Sequence, residues 1–148
     1  MVQSTVGLLV GSKYNWGSTK GIGHMAFKTP PTGGSVPETP DKLFRELTRR
    51  KFPDVLPHQA EMMQAYAASA LDHSDVALQL PTGSGKTLVG LLIAEWRRRK
   101  YKERVVYLCP TRQLVHQVAE QANDKYGLSV ATFVGKQRDY SPAAKADY

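Results

Sequence analysis

From residue 41 onward, apolar side chains recur at the spacing of buried helices and strands. Leu43, Phe44 and Leu47 fall on one face of a first helix, which Asp41 is predicted to cap. A second helix is predicted to begin at Pro57, because proline suits the first turn of a helix. Both segments are therefore expected to contribute one face to a common core.

Strands alternate with helices in the rest of the chain. Short apolar runs predict strands at 76–80, 105–108 and 128–134. Between them, one helix is predicted to extend through Trp96, and another is predicted to start at Thr111. Continuous apolar strands alternating with helices are typical of an α/β fold, in which a parallel sheet is covered on both faces.

The first forty residues differ from this pattern. They contain most of the glycines and a proline-rich stretch from Pro30 to Pro40. Such a composition buries too little apolar surface to offset the entropy of ordering. The sequence thus predicts a flexible leader at 1–40 and a folded domain at 41–148.

Charge and composition narrow the classes of function. The net charge of +7 favours a polyanionic partner such as nucleic acid, whereas the basic run 97–100 closes a predicted helix and is interpreted as structural. One cysteine, Cys109, excludes a disulfide framework within the chain and is expected to be a small core residue. Because no apolar run approaches the roughly 18 residues of a membrane span and no basic leader is visible, we expect a soluble, cytoplasmic protein without a membrane partner.

A glycine-rich loop carries the clearest chemistry. It lies between a predicted strand and a predicted helix and comprises Pro81, Thr82, Gly83, Ser84, Gly85, Lys86 and Thr87. Gly83 and Gly85 allow a sharp turn in which successive N–H groups face one anion. Lys86 is expected to reach the β- and γ-phosphates of ATP, and the Thr87 hydroxyl to coordinate Mg²⁺. The alternative is a glycine-rich turn that merely precedes a helix.

Three elements together resemble the superfamily 2 helicases, the group that contains the DEAD- and DEAH-box proteins. The phosphate loop, with Leu80, corresponds to motif I of that family, although Leu80 stands where the general pattern has Gly or Ala. Residues 110–117, Pro-Thr-Arg-Gln-Leu-Val-His-Gln, resemble motif Ia, and 56–59, Leu-Pro-His-Gln, resemble the glutamine motif. The resemblance implies a partial RecA-like P-loop NTPase domain.

The resemblance also implies roles for individual residues. It makes Gln59 the adenine reader, with a solvated helix residue as the alternative. It places Thr111 and Arg112 at nucleic-acid phosphates, with a surface ion pair as the alternative for Arg112. Lys136 and Arg138 follow the third predicted strand and are further candidates for contact with DNA or RNA.

The family's Asp-Glu dyad, which positions Mg²⁺ and water, is absent because Asp never precedes Glu in these 148 residues. We therefore expect a helicase truncated before motif II, which binds ATP and nucleic acid without efficient hydrolysis or unwinding and has the missing remainder of the helicase as a partner. Two alternatives stay open: a P-loop NTPase that is not a helicase, and an inactive helicase remnant.

Overall fold

The chain folds into helices packed on a small sheet. A computed structural model describes residues 8–10, 23–27, 35–73 and 75–134. The strands are β1 (Leu8–Val10), β2 (Gly23–Phe27), β3 (Val105–Cys109) and β4 (Val130–Phe133). The helices are α1 (Pro40–Leu43), α2 (Pro57–Ser69), α3 (Lys86–Tyr101) and α4 (Arg112–Glu120). This mixture of helices and strands confirms the α/β class.

The sheet has the strand order β1–β3–β2–β4, and its pairs are antiparallel. Leu9 faces Val106, whereas Met25 faces Tyr107 on one side and Thr132 on the other. The prediction of a parallel sheet is wrong for these strands. β3 and β4 do run in the same direction, but β2 lies between them and reverses the pairing.

The predicted strand at 76–80 is also wrong, because this segment forms no strand in the structure. A strand needs a hydrogen-bonded neighbour, and β1 and β2 occupy both edges of β3. Val76 and Leu78 consequently remain 40% and 37% exposed, although Leu80 packs against the core. An apolar pattern alone therefore does not make this segment a strand.

The two predicted N-terminal helices are present, with one change at the first cap. Thr39 rather than Asp41 occupies the cap position of α1, because Pro40 has the fixed φ that suits the first helical residue. Asp41 lies in the first turn, where Oδ2 accepts a hydrogen bond from Gln64 Nε2 of α2 at 2.9 Å. This bond links the two helices.

α3 lies at the centre of the core, and its residues 89–96 are buried throughout. It packs against α1, α2 and β3. The indole Nε1 of Trp96 donates to the Pro37 carbonyl at 2.8 Å, which joins the segment before α1 to the core. Structure therefore begins before the predicted boundary at residue 41, and β1 and β2 also fall within the predicted leader; the rest of residues 1–34 lies outside the described residues.

Among the helices that the structure describes, none combines the length and the apolar character needed to cross a bilayer.

Candidate functional site

The phosphate loop is a tight turn that leads directly into α3. The Pro81 carbonyl accepts from both the backbone N–H of Ser84, at 3.3 Å, and its hydroxyl, at 2.6 Å. Gly83 and Gly85 both adopt a φ of +81°, which L side chains rarely adopt. Gly85 caps α3 in this left-handed conformation. The two glycines therefore stand at the positions where the turn requires them.

Lys86 and Thr87 occupy the first turn of α3, where backbone N–H groups have no partner within the helix. Lys86 is half-buried, and within the described chain its ammonium makes no ion pair or hydrogen bond. A half-buried cation at the positive end of a helix dipole suits a polyphosphate. These residues fit Mg²⁺ and ATP: Lys86 and the loop N–H groups would hold the phosphates, and the Thr87 hydroxyl is of the type that holds the metal.

The side chain of Gln59 fastens α2 to the phosphate loop. Gln59 Nε2 donates to the Ser84 carbonyl at 2.7 Å, and Gln59 Oε1 accepts from the backbone N–H of Leu56 at 3.0 Å. His58 Nε2 lies 3.2 Å from the same Ser84 carbonyl. A Cβ at Gly85 would collide with the Gln59 amide nitrogen. Gln59 thus has a structural role at the loop that the sequence did not reveal, and it is buried rather than solvated.

A cleft of about 640 Å³ opens beside this contact, between α2 and the loop. Its lining combines both elements with the extended segment before the loop: His58, Glu61, Met62, Ala65, Gln79, Leu80, Pro81, Thr82, Gly83 and Ser84. Phe44 is buried in the core, whereas Phe52 is 69% exposed and is not part of this lining. The space at the loop is therefore large enough for a small ligand.

Tyr107 of β3 reaches the site from below and was not identified from the sequence. It is buried, and burial raises the pKa of its phenol. The ring passes so close to Gly90 that a Cβ there would lie only 2.9 Å from Tyr107 Cε2. Cys109, two residues further along β3, is buried as predicted, and burial raises the pKa of its thiol. Only the packing of α3 on β3 brings Tyr107 against Gly90, in the same stretch of α3 as Lys86 and Thr87.

Thr111 and Arg112, two of the predicted nucleic-acid residues, lie at the end of the sheet where β3 stops. Thr111 caps α4, its hydroxyl accepting from the Leu114 N–H at 3.2 Å, and Arg112 is exposed at the start of that helix. Because Cys109 at the end of β3 faces Gly23, and Phe133 at the end of β4 faces His24, both strands end at this edge. Lys136 and Arg138 come shortly after β4 but lie outside the described residues.

The basic run 97–100 is a structural feature, as interpreted. Arg97 binds both carboxylate oxygens of Glu103, at 2.6 and 2.9 Å, and this bonding raises the pKa of its guanidinium. Arg98 and Arg99 bind the buried carboxylate of Glu95. Lys100 Nζ lies 4.7 Å from the centroid of the Trp96 ring and donates to a backbone carbonyl. These cations are therefore occupied within the fold.

Comparison with known proteins gives a consistent answer. The sequence model of the DEAD/DEAH box helicase family matches residues 57–146, more than half of the chain. The chain is 42% identical over 85 residues to the ATP-dependent RNA helicase SrmB of Haemophilus influenzae. The aligned region covers 51% of this chain and 19% of that protein. It is 32% identical over 108 residues to the Endoribonuclease Dicer homolog 3b of Oryza sativa subsp. japonica, covering 69% of this chain and 6% of that protein. No solved structure gives a significant match. The chain thus spans less than a fifth of the length of these curated relatives.

Proposed function

Since this chain belongs to the DEAD/DEAH box helicase family, we propose that it is the ATP-binding portion of a helicase, a partial RecA-like domain that remodels RNA when the rest of the motor is present. The observation that carries this proposal is the phosphate loop. Two glycines at positive φ turn the backbone into the start of α3, and the half-buried Lys86 has no counter-ion among the described residues. ATP supplies the missing negative charge.

In this proposal, different residues of the loop bind the phosphates and Mg²⁺. The N–H groups of 83–87 and the helix dipole attract the phosphates, while Lys86 bonds the β- and γ-phosphates. When bound, Mg²⁺ neutralises phosphate charge, and the Thr87 hydroxyl would help to hold it. Gln59, whose side chain bonds the loop, would read adenine.

We propose RNA as the polymer because one relative is an RNA helicase and the other an endoribonuclease. Thr111 and Arg112 support this proposal, since they start a helix at the sheet edge where β3 and β4 end. Lys136 and Arg138 are proposed to extend the contact.

Hydrolysis of ATP requires charged groups beyond those of the phosphate loop. These 148 residues contain no Asp-Glu pair, and no group of three or more metal-binding side chains lies together among the described residues. Phosphoryl transfer depends on such charges being preorganised. We therefore propose that this portion binds ATP, that the remainder of a helicase completes the catalytic site, and that the assembly acts in the cytoplasm.

Calorimetry with Mg·ATP tests the proposal. Replacing Lys86 by Ala removes a charge-assisted contact worth about 1.5–3 kcal/mol, so the dissociation constant should rise about 10- to 150-fold. Lys125→Ala serves as the control, because Lys125 is exposed after α4 and lies outside the cleft. Equal affinity of wild type and Lys86→Ala would refute nucleotide binding through this loop.

A further inference from the structure

The Ser84 carbonyl, at the turn of the phosphate loop, has two partners on α2. Gln59 Nε2 donates to it at 2.7 Å, and His58 Nε2 lies 3.2 Å from the same oxygen. A backbone carbonyl has two lone pairs, so it can accept from both residues. The proposed function includes Gln59, whereas it gives no role to the contact of His58.

The acceptor determines which nitrogen of His58 carries the proton. A carbonyl oxygen only accepts hydrogen bonds, so Nε2 approaches it with a proton attached, and Nδ1 is the nitrogen that a neutral ring leaves unprotonated. His58 is exposed in the first turn of α2 and lines the cleft beside the loop. Its ring therefore joins α2 to the loop as a hydrogen-bond donor.

This contact fixes the direction of a backbone N–H group. Because no peptide bond among the described residues is cis, the Ser84 carbonyl and the Gly85 N–H point in opposite directions from one peptide plane. The carbonyl is held toward α2, so the N–H points away from α2. Within the part of the chain that the structure describes, this N–H has no acceptor. It is therefore free to bind an anion, as the proposed function requires.

Glycine at position 85 makes this orientation easy to lose. Reversal of the peptide between residues 84 and 85 changes the ψ of Ser84 and the φ of Gly85, and glycine accepts both signs of φ. Gly85 has a φ of +81° in the structure. A reversed peptide would present a carbonyl to an anion in place of an N–H. Groups that hold the Ser84 carbonyl should consequently favour the binding of phosphates.

We propose that His58 is a positioning residue for the phosphate loop: by donating its Nε2–H to the Ser84 carbonyl, it keeps the Gly85 N–H available to a bound polyphosphate. His58 acts through the peptide that it holds and not by touching the phosphates. The ligand that it serves is the polyphosphate chain, with or without a nucleoside attached. This inference rests on the proposed binding of ATP through the loop.

The test measures affinity for ATP and for inorganic tripolyphosphate, by calorimetry with Mg²⁺ present. His58→Phe keeps a ring at this position and removes the donor. Because the lost bond is a single exposed one, we expect the affinity for each ligand to fall by about two- to tenfold. His58→Gln supplies an amide N–H in place of the imidazole N–H and should recover most of the lost affinity.

Two further measurements make the test specific. His73→Phe is the matched control, because His73 is exposed in the turn after α2 and lies outside the cleft. It should bind both ligands as wild type does, and a loss equal to that of His58→Phe would contradict the proposal. Nitrogen NMR at alkaline pH, where imidazole is neutral, should find the His58 proton on Nε2. A proton on Nδ1 would overturn the proposed donation.

The two ligands separate this inference from other roles of His58. A loss of affinity for ATP alone would mean that His58 contacts the nucleoside, and it would overturn the proposal. A His58→Gln variant as weak as His58→Phe would also overturn it, because the donor would then not matter. A wild-type chain that binds neither ligand would overturn the proposed function as well. If wild type binds both ligands and His58→Phe binds them equally well, only the role of His58 is wrong.

Discussion

Gln59 illustrates how one side chain can serve both the fold and a ligand. Its amide donates one hydrogen bond to Ser84 and accepts one from Leu56, and the residue is only 4% exposed. An amide has two N–H groups and two acceptor lone pairs, so one of each is not used by these two bonds. Base recognition and loop attachment are therefore compatible, and they predict different responses to mutation.

We predict that wild type prefers ATP to GTP and that Gln59→Ala abolishes this preference. Because the variant also releases the Ser84 carbonyl from α2, binding of both nucleotides should weaken, by about 0.5–1.5 kcal/mol for the lost bond. Calorimetry with the two nucleotides measures both effects. Gln64→Ala is the matched control, since Gln64 lies on the same helix and bonds only the distant Asp41. If the affinities for ATP and GTP fell equally and their ratio stayed unchanged, Gln59 would have a structural role only.

At the scale of the element, α3 combines the glycine-rich turn at its start with an ionic network at its end. Glu95 and Arg98 are 4% and 7% exposed, and the carboxylate of Glu95 binds Arg99 as well. Arg99 also pairs with Glu46, whose side chain is 42% exposed. Cations in the last turn complement the helix dipole. Two carboxylates thus share one arginine in very different surroundings.

We predict that Glu95→Ala destabilises the protein far more than Glu46→Ala. Removing the buried carboxylate leaves the Arg98 charge buried without a partner, which costs about 3–5 kcal/mol. Removing Glu46 breaks a solvent-screened pair worth about 0–1 kcal/mol. Urea unfolding followed by circular dichroism measures both free energies of unfolding. Similar values for the two variants would mean that water reaches the Glu95 site.

At the scale of the whole molecule, the position of the positive charge matters more than its sum. The net charge is +7, but the cations at 97–100 are engaged within the fold. Arg112 lies at the end of the sheet where β3 terminates, and Arg104 is exposed just before β3 begins. These two arginines therefore mark opposite ends of one strand and make a matched pair.

We predict that single-stranded RNA binds weakly, without sequence preference, and with an affinity that falls steeply with salt. Each phosphate contact contributes a slope of about −0.7 in log K against log salt for single strands. Arg112→Ala should reduce that slope by about one contact, whereas Arg104→Ala, with the same change in net charge, should leave it unchanged. Fluorescence anisotropy across a salt series measures the slopes. Equal changes in both variants would indicate general electrostatic attraction rather than a site at this edge.

The sequence by itself determined the features that depend on local chemistry. Helix starts at Pro57 and Thr111, the buried face of Leu43, Phe44 and Leu47, and the strands around 105–109 and 130–133 follow from periodicity and capping. The phosphate loop was identifiable because positive φ at two glycines and a Lys-Thr at the helix start are encoded in adjacent residues. The family match agrees with these motifs and decides between a helicase and another P-loop enzyme.

Only the tertiary structure decided which distant groups meet. An apolar segment such as 76–80 becomes a strand only when a neighbouring backbone offers hydrogen bonds, and β1 and β2 occupy both edges of β3. The hydrogen bond from Gln59 to Ser84 and the contact of Tyr107 with Gly90 each join residues that are distant in the sequence. No local pattern encodes such contacts, because they arise from the packing of α2 and β3 around the loop.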